Sequence, residues 1–80
     1  MKRGDLIELK DLLSWVPLHS DRNYDILSKK DPRIARGQIA LVIESFLGKS
    51  GLLLYVITSD GAGWTNSYYF KRVQSIEELI

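Results

Sequence analysis

The chain has a single histidine, His19, and no cysteine. Nucleophilic catalysis would have to be built on that one imidazole. A Ser–His–Asp arrangement needs a serine held within hydrogen-bond reach of the ring and a carboxylate behind it. Ser14 and Ser20 are the nearest serines, and all three residues flank Pro17 in a stretch with no periodicity to fix such a geometry. His19 is therefore expected to be a solvated loop residue. Metal chemistry is no better supported. One histidine without cysteine gives no zinc-ligand spacing. Asp21, Asp25 and Asp31 are interleaved with cations and lack the glycine and terminal glutamate of a calcium loop. Gly48-Lys49-Ser50 has the ending of a phosphate-binding loop, but position 43 is Ile43 where that motif requires glycine. An apolar, strand-like run follows it, whereas the motif needs a helix to aim N–H groups at phosphate. A hairpin turn explains the residues better. Glu77 and Glu78 are paired carboxylates in a tail with no cleft, and Asp60 belongs to a turn. The expectation is a protein that is not an enzyme and uses no cofactor and no metal.

Two sets of residues could bind rather than react. Residues 22–36 hold Arg22, Lys29, Lys30, Arg33 and Arg36 against Asp25 and Asp31. Small domains bind RNA or DNA through such basic loops when aromatics beside them stack on bases. A nucleic-acid site at Lys29, Lys30, Arg33 and Arg36 is thus the alternative reading, weakened by a net charge of only +1 and by the acids nearby. The second set is aromatic. Trp15, Tyr24, Trp64, Tyr68 and Tyr69 are too many large rings for so short a chain to bury completely, and partly exposed Trp and Tyr are common interface anchors. The leading expectation is a protein-binding surface of Trp64, Tyr68, Tyr69, Tyr24 and Trp15, with Arg33 and Arg36 as its polar rim.

The elements that must carry these residues can be read from periodicity. Residues 4–10 alternate, with Asp5, Ile7 and Leu9 on one face and Leu6, Glu8 and Lys10 on the other, which predicts a strand. Residues 11–16 read equally as its continuation or as a short helical turn. Residues 17–36 form a long loop, with a single turn of helix at 22–27 compatible with a Ser20 or Asp21 cap. Residues 37–47 are the clearest strand, placing Ile39, Leu41 and Ile43 on one face and Ala40, Val42, Glu44 and Phe46 on the other. Gly48–Gly51 is a four-residue hairpin loop, and 52–59 is the partner strand. Both faces of this hairpin are apolar, so each needs cover: the loop and tail can supply it, or another subunit can. Asp60–Gly63 is a turn, Trp64–Asn66 a short strand, and residues 66–70 a 3₁₀ turn capped by Asn66 or Ser67. Lys71–Val73 close as a last strand, with Phe70 and Val73 expected in the core. Ser75 and Glu78 match a capping box, so the tail from Ile76 reads as a helical turn.

Eighty residues make a single domain, 1–80. The composition, 45% hydrophobic and 26% charged, is that of a globular chain. The longest apolar run, Leu52–Ile57, is far short of the ~20 residues of a bilayer span, and no signal peptide is recognisable. A cytoplasmic location and no membrane association are expected.

The order strand, long loop, hairpin, tight turn, 3₁₀ turn, closing strand predicts an all-β fold, a small SH3-like five-stranded barrel with its long loop after strand 1 and a short C-terminal helical turn. Gly4–Leu9, Gly37–Glu44, Val56–Gly61 and Trp64–Val73 resemble the corresponding parts of small SH3-like barrel proteins of tailed bacteriophages, including those of marine cyanophages. The resemblance covers most of the chain outside residues 11–36. It implies a phage-encoded small protein, a virion component or a binder of a host protein, residing in the host cytoplasm or the virion. Proline-motif recognition does not carry over, because the Ala-Leu-Tyr-Asp-Tyr run and tryptophan pair of eukaryotic SH3 domains are absent.

Overall fold

The computed structural model describes residues 1–20, 32–49 and 51–79. Alternation sets strand β1, Asp5–Leu9, whose Asp5, Ile7 and Leu9 are buried. Gly4 enters it at φ 94°, a conformation that side chains bearing a Cβ disfavour. The chain then reverses: the Leu13 N–H donates to the Lys10 carbonyl at 3.0 Å, and a new strand, β2, begins at Trp15 and ends at Pro17. Residues 11–16 are thus neither more of β1 nor a helix.

The stretch expected to be loop from 17 to 36 is strand at its ends. β2 pairs antiparallel with β3, Arg33–Ala35, placing Val16 opposite Ile34. Both are buried, and this apolar inner face is what holds the two ends together as a ribbon. The helical turn anticipated at 22–27 lies outside the described residues.

Strands β4, Ala40–Gly48, and β5, Gly51–Thr58, form the central hairpin. Gly48 and Gly51 are themselves paired, so the connection is shorter than the four residues expected. The next turn is locked by Thr58, whose hydroxyl donates to the Gly61 carbonyl at 2.9 Å and accepts the Asp60 N–H at 3.1 Å. Strand β6, Gly61–Asn66, follows. The Asn66 side chain then accepts the Tyr68 N–H at 2.9 Å and caps a 3₁₀ turn, Ser67–Tyr69, as its residue type suggested. Strand β7, Phe70–Ser75, leads to a second 3₁₀ turn, Ile76–Leu79, where the Ser75 hydroxyl accepts the Glu77 N–H at 3.3 Å.

The fold is all-β. Its main layer is one five-stranded antiparallel sheet, β6-β5-β4-β1-β7, with β2 and β3 as a separate ribbon, so there are seven strands among the described residues where five were expected. The ribbon's continuation is tied to the sheet edge at β6: His19 and Trp64 exchange backbone hydrogen bonds of 2.8 and 2.7 Å. His19 is therefore half-buried in a β-bridge and not a solvated loop residue. The core lies between the two layers. Ile7, Leu9, Ala40, Val42, Leu54, Val56 and Phe70 come from the sheet, and Val16, Leu18 and Ile34 from the ribbon side.

Two β-bulges correct the sequence reading. One falls between Val42 and Glu44, opposite Tyr55. It interrupts the alternation, so Ala40 and Val42 are buried while Glu44 and Phe46 are exposed. The other leaves Val73 as the extra residue between Arg72 and Gln74. Val73 is 46% exposed and no core residue, whereas Phe70 is buried as anticipated.

Candidate protein-interaction surface

Residues paired directly across antiparallel strands share a face of the sheet. The registers therefore place Gln74, Leu6, Leu41, Ile57 and Ala62 in one row that crosses all five strands on the face opposite the core. Four of the five are apolar. Ile57 is 46% exposed, and Ile39 and Ile43 of the same region are also exposed. One step along β5 and β6, Tyr55 pairs with Trp64, their rings 5.3 Å apart and inclined at 60°. Both faces of the β4–β5 hairpin are apolar, as its sequence indicated, and the outer one is left uncovered in part.

Two further aromatic positions lie elsewhere. On the ribbon's outer face, Trp15 is 45% exposed and the Arg33 guanidinium sits 4.3 Å from its ring centroid. Trp15 faces Ala35 and Arg33 faces Pro17, so the pair is a diagonal contact across the ribbon. Arg36 is engaged differently: its Nε donates to the Leu13 carbonyl at 3.0 Å and its N–H to the Ser14 carbonyl at 2.9 Å. At the first 3₁₀ turn, Tyr68 and Tyr69 meet edge to face at 5.9 Å, and the Lys10 ammonium lies 4.6 Å from the Tyr68 centroid. The Lys10 N–H also donates to the Tyr69 carbonyl at 3.0 Å, which fixes this turn against the end of β1.

The expected binding residues therefore sort into contacts that each have their own support: Trp15 with Arg33, Tyr68 with Tyr69, and Trp64 with Tyr55. Tyr24, Lys29 and Lys30 lie outside the described residues. Tyr55 and the apolar row were not singled out from the sequence as site residues. The two-faced apolar pattern of the hairpin was the available signal, but only the registers show that Leu6 and Ala62 extend it.

Charged groups border this framework. Burial pushes the Asp5 carboxyl up, but the Lys2 N–H at 3.0 Å and the Arg72 guanidinium at 3.3 Å outweigh it and hold the group below its ordinary value. Arg72 also reaches Glu78 at 2.6 Å, and that hydrogen bond lowers Glu78 in turn. A hydrogen bond from Lys71 at 2.9 Å lowers Asp11. These ion pairs join β1, β7 and the tail. No group of three or more His, Cys, Asp or Glu among the described residues could hold a metal ion. No helix among them is long and apolar enough to cross a membrane.

The chain matches no protein-family model, no curated protein and no solved structure.

Proposed function

We propose that this chain is a non-enzymatic protein–protein interaction module built on an SH3-like barrel. The observation that carries the reading is the apolar row Leu6, Leu41, Ile57 and Ala62, flanked by Tyr55 and Trp64, on the sheet face turned away from the core. A contiguous apolar surface rimmed by polar residues is the kind that a partner covers. Rigid aromatic anchors beside it add affinity at low entropic cost. The barrel reading is supported by the strand order, by the long excursion after β1 and by the 3₁₀ turn before β7. By the resemblance to phage barrel proteins, the partner is a host or virion protein, met in the host cytoplasm or within the particle.

The test is selection of binders from a displayed protein library, counter-selected against an Ile57→Lys variant that unfolds at the same temperature as the parent. Recovered proteins should bind the parent and lose most of their affinity for Ile57→Lys. If no protein is recovered, while a gel-shift at ~50 mM salt shows binding to single-stranded nucleic acid that fades as salt rises, the barrel is a KOW-like nucleic-acid binder instead.

A further inference from the structure

The bulge in β4 decides where a charge meets the outer face. Ala40 and Val42 are buried, and unbroken alternation would turn Glu44 toward the core beside them. Ile43 is the extra residue, so Glu44 instead lies opposite Tyr55 and shares its face. That face is the outer one, because Leu54 and Val56 on either side of Tyr55 belong to the core. Glu44 is exposed there. Ile57 follows Tyr55 on the same face, and Trp64 lies across from Tyr55 with its ring 5.3 Å away. The bulge thus sets one carboxylate among the apolar and aromatic residues of the outer face.

No cation of the sheet is left to balance it. The strands of the main sheet carry two cations, Lys71 and Arg72, both in β7. Lys71 meets Glu8 at 3.5 Å and Asp11 at 2.9 Å, and Arg72 meets Asp5 at 3.3 Å and Glu78 at 2.6 Å. Each cation already serves two carboxylates. Glu44 is the remaining acid of these strands, and among the described residues no cation pairs with it. A purely apolar partner laid over this face would strip water from the carboxylate and put nothing in its place, which is costly. A partner that covers the face favourably must bring the opposite charge to Glu44.

We propose that the protein partner of this face presents an arginine flanked by an apolar side chain, with its guanidinium on the Glu44 carboxylate and against the Tyr55 ring. A guanidinium suits these neighbours better than an ammonium. Its planar fork bonds a carboxylate through paired N–H groups, and its flat face stacks on an aromatic ring. It is also more weakly hydrated, so less is lost when it is covered. Tyr55 is half-buried and its ring packs on Trp64, so contact orders it little further. The apolar neighbour of the arginine covers Leu41 and Ile57, which pair across the same face. Nucleic acid is a poor occupant here, because its phosphates would meet the Glu44 carboxylate. The inference rests on the outer-face reading and adds the class of side chain that the face selects.

Selection of displayed random peptides on the full chain tests it, with Glu44→Gln, Ile57→Lys and Glu77→Gln as comparison baits. Glu44 and Glu77 are exposed, so both amide variants should keep the parent's thermal midpoint. Peptides recovered on the parent should carry arginine beside an aliphatic or aromatic residue and should fail to bind Ile57→Lys. Their affinity should fall about tenfold or more for Glu44→Gln and stay level for Glu77→Gln, which removes the same charge from the tail. Changing the peptide arginine to glutamine should weaken binding as much on the parent and little on Glu44→Gln, the coupling of a direct pair. Peptides that depend on Ile57 but lack arginine, or that bind Glu44→Gln as well as the parent, overturn the proposal and leave the outer-face reading standing. So does an equal loss on Glu77→Gln, which would mark a general attraction of charge. Peptides indifferent to Ile57→Lys, or none recovered, overturn both.

Discussion

Gly63 lies against the backbone of Leu18. A Cβ at position 63 would come within 2.8 Å of the Leu18 carbonyl carbon and Cβ, and within 2.9 Å of the His19 carbonyl oxygen. Glycine is needed here for proximity, because the ribbon's continuation and β6 can exchange their hydrogen bonds only if no side chain stands between them. Gly63→Ala should cost about 1–3 kcal/mol, the range for overpacking a well-fitted site, and should show as a lower urea midpoint. Gly37→Ala provides the contrast. Its added Cβ meets nothing within 4 Å, so any loss there comes from its φ of 89° alone.

The ribbon's two faces should respond differently to truncation. Ile34 is fully buried in the core, so Ile34→Ala should cost about 2–5 kcal/mol. Trp15 on the opposite face keeps 45% of its surface exposed. Trp15→Ala removes its contact with Arg33, and a cation–π pair at an exposed site contributes about 0.5–1 kcal/mol. Equal losses in denaturant titrations of the two variants would show that Trp15 is a packing residue rather than part of the surface.

Asp5 makes stability depend on acid. It is 2% exposed, yet its carboxyl is held below the ordinary 3.8 by its partners. A group lowered in the folded chain stabilises above its ordinary value, and that stabilisation disappears as pH falls through the lowered one. Glu78, lowered from 4.5 through Arg72, acts in the same direction. The urea midpoint should therefore be flat near neutrality and decline below pH ~4. Asp5→Asn should lower the midpoint at pH 7 and make the decline below pH ~4 shallower.

Trp64 separates folding from binding. Its N–H and C=O hold His19, and neither bond requires the indole. Trp64→Ala should keep the fold, losing about 0.5–1.5 kcal/mol with the Tyr55 ring contact, and near-UV circular dichroism should report that loss. Partner affinity should fall much further than stability does.

Much of this architecture was legible wherever local chemistry decides it. Alternation gave β1 its buried face, glycine pairs marked the hairpin, and Asn66 announced the 3₁₀ turn. What escaped depended on partners distant in sequence. The strands in residues 15–17 and 33–35 are each three residues long, and only Val16 meeting Ile34 over the core makes them strand. Val73 looked like core because it is the apolar residue of Lys71-Arg72-Val73, and a bulge has no signature in an apolar residue. His19 looked solvated because nothing near it in the sequence reveals the Trp64 backbone. The outer apolar row was half visible: the hairpin showed two apolar faces, but the alignment of Leu6 and Ala62 with Leu41 and Ile57 is a property of register.

The pairing of β1 with β7 also governs how fast the chain can fold. Asp5 and Arg72, joined by an ion pair, are 67 residues apart in sequence. The β4–β5–β6 meander, by contrast, is closed by tight turns at Gly48–Gly51 and Thr58–Gly61. Local hairpins close in about 1–10 μs, whereas distant pairing must first overcome the entropy of a long loop. The meander is therefore expected to form early, and β1 to be captured between β4 and β7 late. This gives the high-contact-order, millisecond-to-second kinetics of small β domains. During synthesis the late step waits for residues 70–75 to emerge, so until then β1 has only Ala40 and Leu41 of β4 to pair with.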